Sequence, residues 1–364
     1  MISVKQLSYL IAAEIFSTGI LYLPSISLKQ SGNGGWLSPF FSLLAGIIVI
    51  LVLTFLYQKY PSKTLTDYLP QLVGNVGAKI IGALYVLFFW DCGLDVVREI
   101  VGVVQATLLP HTPVVAICFA ISFSIIYALY CGLESLARFI ELIYFSMPAL
   151  VIILTLGVAG AIHSNAYFPM LDAGWSGVFR GAFVPSSWFG EVVILAYLLP
   201  EVSNSSKVLS RLLWTLVVTA GLLSIMTLLI IGVLGTSEAA RTQLASFEVM
   251  RYVQFGTFLQ HIDALFLLPW LMLMLIKGIL FFYVAVVSFS QTAKLSKPKI
   301  LIIPLVFLSI VISHWLFSDE FTISKFLEIV WPNYSLFFEV LVPILLWITY
   351  LIRQVLTRKQ NATP

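Results

Sequence analysis

Runs of about twenty mostly apolar residues recur from end to end of this chain, the length of helix that crosses the hydrocarbon core of a bilayer. Ten segments qualify: about 7–28, 36–58, 78–107, 113–131, 138–162, 180–200, 210–234, 258–290, 300–317 and 334–356. The turns between them are short and polar or rich in Gly and Pro, as in "KQSGNGGW", "LPHTP" and "LSKPK". Stretches 62–73, 236–254 and 321–331 have room for short helices at the membrane surface. Lipid offers backbone groups no partner, so each span must pair its own N–H and C=O groups, and helices do this. Composition leads the same way. The chain is 60% hydrophobic and only 10% charged, whereas soluble domains carry about 25% charged residues. A soluble globule of this size still needs a wetted surface, and this chain cannot supply one. The expectation is an all-α integral membrane protein forming one transmembrane domain over 1–364.

Several function classes fall away. The net charge of +3 is too small to attract nucleic acid. Cys92, Cys118 and Cys131 have no paired spacing, so neither a disulfide framework nor a zinc site is indicated. The four histidines are not clustered at ligand spacing, and no phosphate loop or nucleophile elbow is present. No metal, cofactor or catalytic role is expected. The N-terminus lacks a secretory cleavage pattern, and Glu14 interrupts the first apolar run, which is read as a retained span.

Basic residues near span ends set orientation. With the N-terminus inside, 13 Lys and Arg residues fall on the inner side, Lys5, Lys59, Arg138, Lys207 and Arg353 among them. Five fall outside: Lys29, Arg180, Arg241, Arg251 and Lys325. Both termini are therefore expected in the cytoplasm.

The first span contains "STGILYLP" and the sixth "WFGEVVILAYLLP". Each has a cluster around a glycine, then an aliphatic run, then Tyr and a Leu-Pro ending. These segments open two five-span halves, about 7–162 and 180–356, and an odd number of spans turns the second half over. This is the arrangement of a 5+5 inverted repeat. Helices 1 and 6 are then expected to be broken at mid-membrane, over Ser17-Thr18-Gly19 and over 185–190. Glycine lowers the cost of leaving the helix, and hydroxyls re-pair freed backbone groups. Such breaks offer N–H groups to an anion and carbonyls to a cation, a pair suited to a zwitterion. For a single such segment, a packing kink is the competing explanation.

Ionisable groups inside spans are costly and face a partner or a cavity. Here they are Glu14, Asp91, Asp95, Arg98, Glu99, Glu191, Lys277 and Glu339. Asp91, Asp95, Arg98 and Glu99 share one helix face by their spacing, and self-neutralisation around Arg98 is one reading of them. Asp91 and Cys92 lie deeper and are expected to line a cavity. Lys277, in "PWLMLMLIKGILFF", needs a carboxylate or must lose its proton. Glu14 and Glu191 are the candidate partners.

Taken in order, "STGILYLP", "LLPHTP", "GEVVILAYLLPE", "PWLMLMLIKG" and "FFYVAV" give a chain that resembles the endospore germination permeases, the B subunits of bacterial germinant receptors. That family belongs to the amino acid–polyamine–organocation superfamily, whose fold is LeuT-like. The resemblance implies a nutrient-sensing subunit in the inner spore membrane, partnered by an A-type subunit and a C-type lipoprotein. It also implies a small-molecule germinant, an amino acid first of all. Carried over by position, the ligand site comprises Ser17, Thr18, Gly19, Asp91, Cys92, Phe189, Gly190, Glu191 and Lys277, beside a charge network of Glu14, Asp95, Arg98 and Glu99. Lys277 then stands where relatives of this fold hold sodium. The charge of Glu191 and Lys277 makes this pocket more polar than one built for alanine. A proton-coupled amino acid transporter is the alternative function.

Overall fold

The computed structural model describes residues 1–203, 207–253, 263–316 and 325–361. The expected span at 258–290 begins partly outside them, as do His261 and part of the surface stretches 236–254 and 321–331. The helices in order are α1 (Val4–Ser31), α2 (Ser38–Lys59), α3 (Leu65–Thr107), α4 (Val114–Cys131), α5 (Leu133–Ile143), α6 (Ser146–Gly157), α7 (Gly174–Gly190), α8 (Leu195–Leu198), α9 (Val208–Leu234), α10 (Thr236–Arg241), α11 (Ala245–Met250), α12 (Asp263–Thr292) and α13 (Ile302–Leu316). A final helical stretch, Phe326–Thr357, closes the fold. Eight stretches among the described residues are long and apolar enough to cross a membrane, and the first of them, Val4–Lys59, contains both α1 and α2.

Around a large apolar core, the surface and interior depart from those of a soluble protein. Phe123, Leu142, Phe145 and Trp214 are exposed, while Glu14, Glu99, Glu191, Lys277 and Glu339 are buried. Exposed apolar side chains are at home in lipid, and charges are kept to the interior. α1 is buried on every side from Leu10 to Leu28, as a central helix must be. It packs on α7, α9 and α12, while α12 lies along α3.

Several ends are set by local chemistry. Ser3 and Gln6 form a capping box at the start of α1, with the Ser3 N–H donating to Gln6 Oε1 at 2.8 Å and the Gln6 N–H to Ser3 Oγ at 3.1 Å. Leu65–Thr107 is interrupted at Gly74, whose φ of 75° is open to glycine at little cost. The expected surface helix 62–73 is thus the segment before this kink. The fifth span divides at Tyr144-Phe145, just before Pro148.

The expected break in the first span is not there. α1 runs unbroken through Ser17-Thr18-Gly19 to Ser31. The helix holds because its polar groups find partners without unwinding. Ser17 Oγ donates back to the Glu14 carbonyl at 3.2 Å. Pro24 has no N–H for the Ile20 carbonyl four residues back, and Ser246 Oγ donates to that oxygen instead. Span 6 also differs from expectation. Residues 187–190 are helical, and the irregularity begins at Glu191, where the chain tightens into a 3₁₀ turn over Glu191–Ile194. Pro185 in α7 similarly deprives the Gly181 carbonyl, and Ser27 Oγ fills that vacancy at 3.1 Å.

Ser27 belongs to a row of hydroxyls between the first two helices and α7. Ser31 donates to the Gly177 carbonyl at 3.2 Å and Ser42 to the Ala182 carbonyl at 2.9 Å. Glycine permits this approach. A Cβ at Gly181 would stand 2.8 Å from the Ser27 carbonyl oxygen, and one at Gly177 2.8 Å from that of Gln30. Small residues and interhelical hydrogen bonds are what hold helices together where lipid is the solvent.

The final stretch contains two π-helical turns, Phe326–Val330 and Phe337–Leu341. Each ends two residues before a proline, Pro332 and Pro343. A proline ring clashes with the carbonyl four residues back, at Glu328 and Glu339, and a widened turn relieves that clash.

Candidate functional site

Three helical elements converge on Lys277. Its side chain is 1% exposed. The ammonium Nζ lies 2.8 Å from Glu191 Oε2 and 3.0 Å from Glu191 Oε1, and donates to Thr18 Oγ1 at 2.8 Å. Thr18 Oγ1 in turn donates to Glu99 Oε2 at 3.1 Å. One hydroxyl thus joins α12, α1 and α3, and Glu191 ties in the 3₁₀ turn that follows α7.

Helical spacing explains the α12 contribution. Trp270, Met274 and Lys277 recur at i, i+4 and i+7 and so share a face. Trp270 Nε1 donates to the Ser17 carbonyl at 2.8 Å, and Met274 Sδ lies 3.8 Å from Thr18 Oγ1. Phe281, one turn beyond Lys277, places its ring centroid 5.8 Å from Nζ, within cation–π range. Glu191 is aimed by the tightening of the helix at its own position, since a 3₁₀ turn rotates successive side chains further than an α turn does.

The other expected residues divide. Glu14 lies within electrostatic reach of Glu191 and Lys277, but neither of its carboxylate oxygens has a hydrogen-bond partner among the described residues. Ser17 turns back on its own helix. Gly19 faces α9, where an added Cβ would meet Leu223 Cδ1 at 3.0 Å. Gly19 thus lets α1 and α9 pack closely there. Phe189 is buried, and its carbonyl oxygen would stand 2.8 Å from a Cβ at Gly46 on α2. Gly190 is pressed against the Glu339 carboxylate. Cys92 is buried, and Asp91 shares a hydrogen bond with Tyr334. Arg98 lies within electrostatic reach of Asp95, while Glu99 turns to Thr18. The four-residue face of α3 therefore splits between two neighbourhoods, and Arg98 does not neutralise it alone.

The unbroken α1 changes the chemistry expected here. Its N–H groups at Thr18 and Gly19 lie within a regular helix, so side chains, not freed backbone, supply the polar contacts. They amount to one ammonium, one hydroxyl and several carboxyl groups. Trp270, Met274 and Glu339 were outside the expected ligand set. The first two were signalled by their helical spacing from Lys277, and the third by being an ionisable residue inside a span.

A family model described as "Spore germination protein", a spore permease model, matches residues 1–322. The chain belongs to the spore germination permease family. These are permease-like proteins and not enzymes. Among curated relatives, spore germination protein KB of Bacillus subtilis (strain 168) is 26% identical over 357 residues, covering 95% of this chain and 94% of that protein. Among solved structures, MhsT in complex with L-phenylalanine has a TM-score of 0.65 at 12% identity, covering 95% of this chain and 98% of that one. Mhp1, a nucleobase-cation-symport-1 family transporter in a closed conformation with bromovinylhydantoin bound, has a TM-score of 0.62 at 14% identity, covering 88% of this chain and 74% of that one. These likenesses establish a LeuT-type transporter fold for this multi-pass membrane protein.

Proposed function

We propose that this protein is the nutrient-sensing B subunit of a spore germinant receptor, and that it binds a small polar germinant beside Thr18, Glu191 and Lys277. The observation that carries this reading is the buried ammonium of Lys277, held by Glu191 and Thr18 where α1, α12 and the end of α7 meet. A charge in the membrane interior is costly and marks function by default. Ten spans form the two inverted halves, with both termini in the cytoplasm. The germinant, an amino acid first of all, presents donor and acceptor groups to this cluster. Its binding favours one arrangement of α1 and α7 over another. A ligand achieves this only through its difference in affinity between the two. The A-type subunit reads that arrangement as a gating signal, the C-type lipoprotein completes the receptor, and the germinant leaves chemically unchanged.

The test uses spores whose only receptor contains this subunit with its A-type and C-type partners, screened against single amino acids, sugars and potassium salts. Thr18→Val removes the hydroxyl that joins Lys277 to Glu99 at nearly constant volume. It is expected to raise the half-maximal nutrient concentration about tenfold or more, the effect of losing one hydrogen bond to a charged group. Thr18→Ser is expected to respond as wild type does. Equal responses from Thr18→Val and wild type, at equal subunit abundance, would remove Thr18 from the site.

A further inference from the structure

Lys277 is one ammonium among several carboxyl groups, and the pairing leaves two of them over. Glu191 takes Lys277, Glu99 takes Thr18, and Asp95 lies near Arg98. Glu14 and Glu339 are each 0% exposed, and all four of their carboxyl oxygens are without a hydrogen-bond partner among the described residues. They come from opposite ends of the chain to the same centre. Glu14, on α1 one helical turn before Thr18, lies within electrostatic reach of Glu191 and Lys277. Glu339 sits in the second π turn, within electrostatic reach of Glu191, Lys277 and Glu14 and of Tyr85 and Cys92 of α3. Gly190 leaves the space it occupies: an added Cβ there would meet Glu339 Oε2 at 2.3 Å. The turn is fixed in place by the Tyr85 hydroxyl, which donates to the Phe338 carbonyl at 2.9 Å.

Two unpaired carboxylates beside a third that is already paired would concentrate negative charge where solvation is poor. Burying an ionised carboxylate without a partner is costly, and a retained proton removes that cost. We infer that Glu14 and Glu339 form a proton-binding pair, neutral in this arrangement, and that a cationic group on a ligand entering beside them displaces one proton. The acid O–H bond breaks, its proton leaves to bulk water, and the carboxylate that remains pairs with the incoming ammonium. Charge in the core is conserved by this exchange. The inference deepens the germinant reading, on which its ligand half rests, by naming the class of group the site takes: an organic ammonium, not an alkali-metal ion.

The experiment needs neither spores nor a known nutrient, so its failure is separable from that of the receptor reading. Full-length protein in lipid nanodiscs is examined by infrared difference spectroscopy between neutral and alkaline buffer, following the carbonyl stretch of protonated carboxylic acids. Wild-type protein is expected to show this band at neutral pH. Glu14→Gln and Glu339→Gln are each expected to lose part of it, and the double variant most of it. Methylammonium chloride is then added, with released protons read by an indicator dye. Release is expected from wild type, is reduced in each single variant, and does not follow sodium chloride at equal ionic strength. Absence of the band from wild-type protein at neutral pH would overturn the inference without recourse to any variant. So would a band unchanged by both substitutions, or proton release driven by sodium alone, which would make this an alkali-metal site.

Discussion

Lys277 illustrates how little a single residue determines without its partners. Its side chain is buried, and its charge is met by Glu191 and Thr18. Removing only one member of a buried pair is worse than removing both, because an uncompensated charge stays behind. Lys277→Met is therefore expected to destabilise the protein by about 3 kcal/mol, as a lowered unfolding midpoint in detergent. Lys277→Met combined with Glu191→Gln is expected to recover most of that loss, since no charge then lacks a partner. Equal midpoints for the single and double variants would show that the two residues are not energetically coupled. The sequence marked both residues as ionisable groups inside apolar runs. It offered packing as one explanation of the Ser17-Thr18-Gly19 segment, but could not name Leu223, about two hundred positions away, as the neighbour Gly19 meets.

Among the elements, prolines and hydroxyls share the work of keeping α1 and α7 intact. Pro24 and Pro185 each cancel a helical hydrogen bond, and Ser246 and Ser27 supply replacements from other helices. This is why a break expected at Ser17-Thr18-Gly19 is absent. A polar, glycine-containing segment in lipid must either unwind or borrow partners, and the partners come from residues distant in sequence. The eight long apolar helical stretches were legible because twenty-residue apolar runs leave few alternatives, whereas the apolar helix at Pro298–Ile312, where a ninth span was expected, is shorter than a span. The π turns were not, since their cause becomes apparent only when Pro332 and Pro343 are placed against the carbonyls of Glu328 and Glu339. The α1–α7 contact makes its own prediction. A Cβ at Gly181 would stand 1.8 Å from Ser31 Oγ and 2.8 Å from the Ser27 carbonyl oxygen. The Ser31 hydroxyl can turn away, but the backbone cannot. Gly181→Ala is expected to cost about 1–3 kcal/mol through overpacking, read as a fall in thermal midpoint. Gly221→Ala, where a Cβ would meet nothing within 4 Å, is expected to cost nothing measurable. A Gly181→Ala midpoint equal to that of Gly221→Ala would mean the two helices are not in close contact.

At the level of the molecule, polar contacts tie α1 to its neighbours at both of its ends. At one, Lys29 of α1 pairs with Glu328 in the first π turn. At the other, Ile2 forms an isolated bridge with the end of the sixth span, the Ile2 N–H donating to the Glu201 carbonyl at 2.8 Å and the Ser203 N–H to the Ile2 carbonyl at 3.0 Å. Lys5 also meets Glu141 of α5 at 3.6 Å. The partly exposed ion pairs contribute about 0–1 kcal/mol each. α1 carries Thr18 and Lys29 and starts just after Ile2; in the function proposed above, a bound nutrient acts through it. That account turns on the Lys277–Glu191 pair, and the double variant Lys277→Met with Glu191→Gln tests it without leaving a buried charge unpaired. The deciding measurement is the nutrient dose–response of spores carrying that variant with its A-type and C-type partners at wild-type abundance. Loss of response at every nutrient concentration, with germination by receptor-independent stimuli retained, is the expected result. A dose–response curve superimposable on that of wild-type spores would contradict the account.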